Sequence, residues 1–269
     1  MERIKRNERL AALTKLLTAS PNQLFTLSHF CELFGAAKST LSEDIDILCD
    51  VYEHFGLGKL DTVTGAAGGV RYRPCIAREQ ASHFLQELCK ELENPNRLLP
   101  GGFLYLSDIL SMPDIVRQMG IIIAEQFYEA APDFVLTMET KGIPVALMAA
   151  QSLGVPLVIA RRSSKAYEGS AVNINYVSGS SGHIETMSLS RRAVKEGQRA
   201  LIVDDFLKGG GTAKGMIDLM SEFNVEVVGT AFVMATAHHA NRVIEGEKAL
   251  MIMDKPENGK LSIRPADWL

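Results

Sequence analysis

The first fifty residues carry apolar side chains at helical spacing, and much of the remaining chain alternates between apolar runs and helical patterns. Three segments within residues 8–52 each show an apolar residue every three or four positions, which predicts three short helices. Thr26 is placed to cap the second helix, and Thr40 with Glu43 has the spacing of a capping box for the third. The alternative is that Lys38 or Ser39 already lies inside the third helix. The side chains expected to face inward are Leu10, Leu13, Leu17, Leu27, Phe30, Leu33, Leu41, Ile45 and Leu48.

The turn before the third helix and the segment after it indicate the kind of module. Small residues at 35–37 join the second and third helices, as in a helix-turn-helix. The segment KLDTVTGAAGGVRYRP (59–74) predicts a strand, a glycine-rich turn and a strand, which makes a winged helix-turn-helix. In that motif the start of the third helix faces the major groove of DNA, and the wing tip is small enough to enter a minor groove. The predicted DNA contacts are Arg3, Lys5, Arg6, Lys38, Ser39, Thr40, Ser42, Gly68, Gly69, Arg71 and Arg73.

Charge leaves a second interpretation of this segment open. The whole chain has a net charge of −4, and residues 1–73 hold nine basic and nine acidic side chains. DNA binding would therefore depend on local basic patches. Glu43, Asp44 and Asp46 would repel phosphate if they faced it. The alternative is a helical dimerisation module with an ordinary surface hairpin.

Composition is that of an ordinary globular protein, with 46% hydrophobic and 22% charged residues. The length of 269 residues suggests two domains, at 1–74 and 75–269. No apolar run approaches the ~18 residues of a membrane span. The charged start MERIKRNERL lacks a signal core, so we expect a cytoplasmic protein. The four cysteines form no Cys-x-x-Cys pair, which favours reduced thiols over a zinc site.

Beyond a linking helix at 77–93, apolar strands alternate with helical patterns. This alternation predicts an α/β domain with a mostly parallel sheet flanked by helices. Ligands of such sheets bind at the carboxyl ends of the strands. The predicted strands are 133–138, 155–160, 199–204 and 225–235, and the predicted helices are 144–154 and 212–223.

The segment LIVDDFLKGGGT (201–212) combines two carboxylates with a glycine loop at a strand end. The glycines let backbone N–H groups point inward, and Thr212 adds a hydroxyl at a helix start, which suits a phosphate. Asp204 and Asp205 are acceptors, suited to ribose hydroxyls or to a divalent cation. A glycine-rich turn with a helix-capping acid is the alternative.

LIVDDFLKGGGT resembles the phosphoribosyl-pyrophosphate motif of type I phosphoribosyltransferases. The resemblance implies that the two acids hold the ribose hydroxyls and that residues 208–212 cradle the 5-phosphate. TKGIP (140–144) looks like the pyrophosphate loop, RRSSK (161–165) like the basic cluster that clamps pyrophosphate, and 173–192 like a flexible hood loop. By themselves, TKGIP fits a plain turn and RRSSK a surface cluster. The implied effector-binding residues are Thr140, Lys141, Gly142, Arg161, Arg162, Lys165, Tyr176, Asp204, Asp205, Phe206, Leu207, Lys208, Gly209, Gly210, Gly211 and Thr212.

Lys208 argues against transferase chemistry. Purine members of that family often carry an Asp at this position, which accepts a proton from the base, and a protonated lysine cannot do so. Gly209 replaces a more usual threonine. Other active members take the proton in the hood loop, where Glu185 is the only acid. An active purine or xanthine phosphoribosyltransferase with a helical extension is therefore the alternative.

The union of both modules resembles the purine-operon regulators of Gram-positive bacteria. KSTLSEDI, GAAGGV, LPGG, TKGIP, NINYVSGSS and DDFLKGGGT carry this likeness. It implies a cytoplasmic homodimer that binds operator DNA of purine genes, as a repressor or an activator, with no membrane partner. Phosphoribosyl pyrophosphate would be the effector, with or without Mg²⁺, and guanosine tetraphosphate would be its competitor. The resemblance also implies that the protein has no required cofactor, no metal site and no catalytic residue. A DNA-binding dimer with a vestigial pocket is the third interpretation.

Overall fold

A computed structural model describes most of the chain as two compact units. One unit comprises Met1–Ala77 and Gln151–Gly154, and the other comprises Arg78–Ala150 and Val155–Leu269. The first division falls three residues after the boundary predicted at residue 74. The residues that the structure describes are 4–65, 68–100, 103–163, 169–178, 182–237, 243–255 and 261–269.

The first unit packs helices against a small antiparallel sheet whose strand order is β1-β3-β2. The helices and the hairpin predicted from the sequence are all present, and a short strand before α2 is added to them. Its elements are α1 (Arg6–Ala19), β1 (Phe25–Thr26), α2 (Leu27–Phe34), α3 (Lys38–Phe55), β2 (Lys59–Val63) and β3 (Gly69–Arg73).

Local hydrogen bonds and backbone angles explain where α2 and α3 begin and end. Thr26 caps α2 as predicted, because its hydroxyl accepts the N–H of His29 at 3.3 Å. Gly35 ends α2 in the left-handed conformation, with φ of 60°. The capping box predicted at Thr40 is wrong: α3 begins at Lys38, so Thr40 lies within the first turn of the helix.

The core of the first unit contains the apolar residues predicted to face inward, with one exception. The predicted residues of α1 and α3 and Phe30 are buried or packed against the core, whereas Leu33 is 46% exposed. Phe34 takes the inward position instead, since its ring stacks on that of Phe30 with centroids 6.1 Å apart. At about 100° per residue, Phe34 lies close to the centre of the face shared by Leu27 and Phe30, whereas Leu33 lies about 90° away from it.

The second unit is built on a six-stranded sheet of order β13-β12-β11-β10-β6-β7. Its strands run parallel except for β13, which pairs with β12 in the antiparallel sense. Two hairpins, β4–β5 and β8–β9, lie outside this sheet. The elements are α4 (Arg78–Leu92), β4 (Leu98–Leu99), β5 (Phe103–Leu104), α5 (Pro113–Glu125), β6 (Phe134–Met138), α6 (Ile143–Leu153), β7 (Leu157–Ala160), β8 (Ala171–Val177), β9 (Ile184–Ser190), β10 (Arg199–Leu207), α7 (Gly211–Glu222), β11 (Glu226–Thr236), β12 (Lys248–Met253) and β13 (Ile263–Pro265).

The parallel α/β sheet predicted from the sequence is confirmed, and its differences from the prediction are local. β10 continues to Leu207, beyond the predicted end at residue 204, because it stays paired with β11 up to Leu207 and Ala235. The sequence pattern did not predict α5, β12 or β13. None of the helices in the described ranges is long and apolar enough to cross a membrane.

The β8–β9 hairpin is joined to both the sheet and a helix. Arg161, which follows β7, exchanges two backbone hydrogen bonds with Ser188 of β9, at 2.9 and 2.7 Å. Met187 and Tyr176 of the hairpin are buried in one cluster with Met216 of α7. This packing fixes the hairpin beside the carboxyl end of the sheet.

Candidate functional site

A cavity of about 380 Å³ lies at the carboxyl ends of the parallel strands. β10, β6 and β7 are neighbours in the sheet, so the loops that follow them meet at one edge. The predicted effector residues that line the cavity are Thr140, Lys141, Arg162, Asp204, Asp205, Phe206, Leu207, Lys208, Gly209, Gly210, Gly211 and Thr212.

Three predicted residues lie outside the cavity lining. Gly142 lies against Asp204, and Arg161 lies 3.8 Å from Glu139; both of these acids line the cavity. Tyr176 bonds to Glu185, which in turn pairs with Arg162 of the lining. Lys165 lies outside the described residues. The sequence pattern did not predict a further group of lining residues, which the sheet order and the approach of β5 to the strand ends bring to the cavity: Phe103, Leu104, Leu106, Met138, Glu139, Ala213, Phe232, Thr236 and Met253.

The two carboxylates belong to β10 and are largely withdrawn from solvent. Asp204 is 8% exposed, and its Oδ1 accepts the backbone N–H of Asp205 at 2.9 Å. Burial and the adjacent charge of Asp205 raise the pKa of Asp204 well above its ordinary value. Burial also raises the pKa of Asp205, against the opposing charge of Lys141. The pair is suited to accept hydrogen bonds from two hydroxyl groups of one ligand.

Gly142 allows the loop after β6 to lie against this pair. A Cβ atom at position 142 would overlap Asp204 Oδ1 and would lie 2.7 Å from Thr137 Oγ1. Only glycine fits between these atoms without displacing the carboxylate. The peptide bond between Glu139 and Thr140 in the same loop is cis. Lys141, in the same loop, lines the cavity.

The glycine loop after β10 presents the start of α7 to the cavity. Gly210 is the residue before the helix, with φ of 82°, and its carbonyl accepts the N–H of Lys214 at 2.8 Å. A side chain at Gly210 would press on Ile244, whose Cγ1 would lie 3.2 Å from the added Cβ. The first N–H groups of a helix have no partner within it and favour an anion. This loop is therefore suited to a phosphate group.

Lys208 lines the cavity and lies next to an aromatic ring. Its Nζ lies 5.9 Å from the centroid of the Phe103 ring, and Phe103 is 52% exposed. The backbone carbonyl of Lys208 accepts the hydroxyl of Thr236 at 3.4 Å. Lys208 thus offers a cation to a ligand, and Phe103 offers an aromatic ring beside it.

The basic residues after β7 are held by two acids. Glu139 accepts the backbone N–H of Arg162 at 2.7 Å, and its other oxygen lies 3.8 Å from Arg161 Nη1. The guanidinium of Arg162 forms an ion pair with Glu185 of β9. Tyr176 donates its hydroxyl to the same carboxylate at 2.9 Å. Burial, together with this hydrogen bond, raises the pKa of Tyr176.

The predicted DNA contacts on α3 lie on its first turns. Lys38, Ser39 and Ser42 are exposed, and Thr40 is half-buried. Asp44, which the sequence analysis considered a source of repulsion, is fully buried and therefore does not face solvent. This removes one of the three acids that counted against DNA binding.

Of the N-terminal basic residues predicted to contact DNA, Arg6 is close to α3. Lys5 and Arg6 are exposed, and Arg3 lies outside the described residues. Arg6 forms ion pairs with two acids of α3: its Nε lies 2.9 Å from Asp44, and its Nη2 lies 3.3 Å from Glu43. The side chain of Arg6 is 50% exposed.

The hairpin gathers three cations around one carboxylate. Asp61 of β2 lies 3.2 Å from Lys59, 3.8 Å from Arg71 and 3.1 Å from Arg73. Three positive charges around one negative charge leave the cluster with a net positive charge, which favours a phosphate backbone. Lys59 is its most exposed member, at 70%, against 30% for Arg71 and 15% for Arg73.

The two glycines of the predicted wing differ in position. Gly68 is half-buried and forms a turn, in which its N–H donates to the carbonyl of Gly65 at 3.0 Å. Gly69 is buried and is paired with Thr26 of β1. The prediction that Gly69 contacts DNA is therefore inconsistent with its place inside the sheet. Residues 66 and 67, at the predicted wing tip, lie outside the described residues.

Comparison with known protein families identifies both units. Residues 5–74 match the family described as bacterial purine repressor, N-terminal, and residues 106–257 match the phosphoribosyl transferase domain. A crystal structure of adenine phosphoribosyltransferase from Thermoanaerobacter pseudethanolicus superposes with a TM-score of 0.53 and 22% identity, covering 63% of this chain and 97% of that one. This structural likeness concerns the fold alone.

Two regulators are similar over nearly the whole chain. The purine biosynthesis transcriptional repressor PurR of Bacillus subtilis is 45% identical, over 93% of this chain and 88% of that protein. The purine biosynthesis transcriptional activator PurR of Lactococcus lactis is 42% identical, over 97% of this chain and 96% of that protein. The chain therefore belongs to the family of purine biosynthesis transcriptional regulators, in which a purine-repressor N-terminal domain precedes a phosphoribosyltransferase domain.

Proposed function

We propose that this protein regulates transcription of purine biosynthesis genes, and that phosphoribosyl pyrophosphate controls its binding to double-stranded DNA. The observation that carries this proposal is a pocket with the donors and acceptors for a phosphoribosyl group, in a chain whose first unit is a repressor domain. The effector binds in the second unit and is not transformed there.

The pocket supplies one set of groups for each part of the effector. Asp204 and Asp205 accept hydrogen bonds from the ribose hydroxyls, and the loop at 208–212 receives the 5-phosphate. Lys141 and Arg162 supply positive charge for the pyrophosphate. If Mg²⁺ enters with the effector, the pyrophosphate oxygens and the exposed part of the acid pair are the oxygen ligands that this cation prefers.

The charges around the cavity support the proposal that no transfer takes place there. A base with a proton to lose would meet the cation of Lys208, which cannot accept that proton. Glu185 is already paired with Arg162 and bonded to Tyr176. An ion-paired carboxylate is a weaker base than a free one, so neither group is suited to general-base catalysis.

Guanosine tetraphosphate, which carries pyrophosphate groups, would compete with phosphoribosyl pyrophosphate for the cations of the pocket.

DNA binding uses the basic surfaces of the first unit. The exposed start of α3, with Lys38 and Ser39, enters the major groove, and the hairpin with Arg71 and Arg73 contacts the backbone. The protein acts in the cytoplasm as a homodimer, which lets two such units bind two half-sites of an operator. Effector and DNA then change one another's affinity by the same factor.

The test is a DNA-binding titration with and without phosphoribosyl pyrophosphate. The effector should change the affinity for DNA upstream of purine genes, and Asp204→Asn/Asp205→Asn should remove that response while leaving DNA binding intact. A response that persists in the double variant would refute the pocket assignment.

DNA contacts are tested by single charge removals. Lys38→Gln and Arg71→Gln should each weaken binding and reduce the slope against salt by about one. Lys15→Gln is the matched control, because Lys15 is exposed on α1 but outside the predicted surface. If Lys38→Gln and Arg71→Gln bound DNA as tightly as the control Lys15→Gln, the proposed DNA surface would be refuted.

Catalytic inactivity is tested separately. The protein is incubated with phosphoribosyl pyrophosphate, Mg²⁺ and a panel of purine bases, and nucleotide formation is measured. We expect binding without turnover. Nucleotide formation would favour the alternative, an active purine or xanthine phosphoribosyltransferase.

A further inference from the structure

Arg162 is the cation of the cavity that already has a partner on the hairpin. Its guanidinium forms an ion pair with Glu185, and the two side chains are 59% and 25% exposed. The same charge acts on the acid pair, since burial raises the pKa of Asp204 and Arg162 opposes that rise. Arg162 therefore lines the cavity together with Asp204 and also pairs with a carboxylate that lies outside the lining.

Glu185 is held in this position by a packed tyrosine. Tyr176 is directly opposite Glu185 in the β8–β9 register and donates its hydroxyl to the carboxylate at 2.9 Å. Tyr176 is 7% exposed. Its ring lies against Gly215 of α7, where an added Cβ would be 3.0 Å from Tyr176 Cγ. A side chain oriented in this way loses little further freedom when it pairs with Arg162, which strengthens the ion pair.

We propose that Glu185 is an internal competitor for Arg162 and thereby sets the affinity of the pocket for the pyrophosphate group of a ligand. This inference rests on the proposed function, because it assumes that the cavity binds a ligand with pyrophosphate. Such a ligand presents several phosphate oxygens to the guanidinium, and it has to replace the carboxylate of Glu185. The free energy needed to break the Arg162–Glu185 ion pair thus reduces the affinity of the pocket for the ligand.

The effect is specific to one end of the ligand. Arg162 follows β7, whereas the phosphate loop follows β10, and β6 lies between these strands. Two strand spacings separate the two loops by about 10 Å. Removing the charge of Glu185 should therefore strengthen binding of pyrophosphate and leave binding of a lone 5-phosphate group nearly unchanged.

Calorimetric titration of the full chain with inorganic pyrophosphate and with ribose 5-phosphate tests this inference. Glu185→Gln keeps an oxygen that can accept the Tyr176 hydroxyl but removes the charge. We expect its affinity for pyrophosphate to rise about two- to fivefold, the range of one partly exposed ion pair. Its affinity for ribose 5-phosphate should change less than twofold. A structural defect would lower both affinities, so the expected gain separates the two explanations.

Two further variants complete the experiment. Asp218→Asn removes the same charge from an exposed pair with Lys214 on α7 and should leave both affinities unchanged. In an Arg162→Ala background, Glu185→Gln should no longer increase the affinity for pyrophosphate, because the pair is already broken. An unchanged or lowered pyrophosphate affinity in Glu185→Gln, while the wild type binds pyrophosphate, overturns this inference alone. If neither pyrophosphate nor phosphoribosyl pyrophosphate binds to the wild type, the proposed function fails together with it.

Discussion

Arg9 donates a hydrogen bond from Nε to Asp44 Oδ2 at 2.7 Å, and the side chain of Asp44 has no exposure to solvent. Arg6 reaches the other oxygen of the same carboxylate at 2.9 Å. Arg9 also donates to the carbonyl of Ile4 at 3.0 Å, so the segment before α1 is held near the start of α3. The buried carboxylate therefore connects the basic N-terminal segment with the helix proposed to read DNA.

Removal of Asp44 should destabilise the first unit strongly. Asp44→Ala leaves Arg9 buried without its partner, which costs about 3–5 kcal/mol of unfolding free energy. Glu43→Ala is the control, because Glu43 is 69% exposed and its pair with Arg6 contributes about 1 kcal/mol or less. Chemical denaturation of both variants measures the difference. Equal unfolding free energies would mean that the buried pair does not stabilise the unit.

The stability of the second unit should depend on pH through Asp204. Its pKa is raised in the folded protein by burial and by Asp205, so the folded state binds the proton more tightly than the unfolded state. This contribution is fully present below the ordinary Asp pKa and is lost as pH rises through the raised folded pKa. Asp204→Asn, whose Oδ1 still accepts the N–H of Asp205, should flatten this dependence and raise Tm at neutral pH.

Thermal melts from acid to neutral pH measure this effect, with Asp218→Asn as the control for loss of one charge. Melting curves of wild type and Asp204→Asn that change in parallel with pH would contradict the prediction. The same raised pKa predicts that phosphoribosyl pyrophosphate binds more tightly as pH rises, since the ionised carboxylate is the stronger acceptor.

Gly142→Ala should damage the pocket more than the fold. The added Cβ would overlap Asp204 Oδ1, so the carboxylate has to move. We expect effector affinity to fall about tenfold or more, the cost of one lost hydrogen bond to a charged group. Binding is measured by calorimetry and stability by thermal melting.

Gly197→Ala separates loss of stability from loss of the site. Gly197 has φ of 78° and open space around it, so the substitution strains the backbone by about 1 kcal/mol without touching the cavity lining. It should lower Tm and leave effector binding intact. If Gly142→Ala behaved in the same way, the close approach of its loop to Asp204 would have no role in binding.

Cys89 should resist thiol reagents in the native protein. Its side chain is buried in α4, and burial together with Glu93 raises its thiol pKa to about 12. Thiol reagents attack the thiolate, which is scarce at pH 8 for such a group. Labelling followed by peptide mapping should find Cys89 modified only after unfolding, with the half-buried Cys31 and Cys75 as comparison. If Cys89 were labelled in the native protein as fast as Cys31 and Cys75, α4 would have to unfold locally with ease.

The sequence by itself determined the local elements of both units and the order of the site loops. Apolar spacing, turn residues and the glycine loop are local signals, and they predicted α1 to α3, the β2–β3 hairpin, the strands β6, β7, β10 and β11, and the helices α6 and α7. The strands β8 and β9 were not predicted, because residues 173–192 resembled a flexible loop. Parallel strands bring their carboxyl ends to one edge, so the convergence of the loops containing Lys141, Arg162 and Asp204 followed from the same pattern.

Only the tertiary structure decided which charges are available to a ligand. Asp44 and Glu43 look alike in the sequence, yet one is buried against Arg9 and the other is exposed. Arg162 and Glu185 are separated by 23 residues, and only the docking of the β8–β9 hairpin on α7 and the end of β7 makes them partners. Side-chain pairing depends on packing between distant segments, which no local period of the chain encodes.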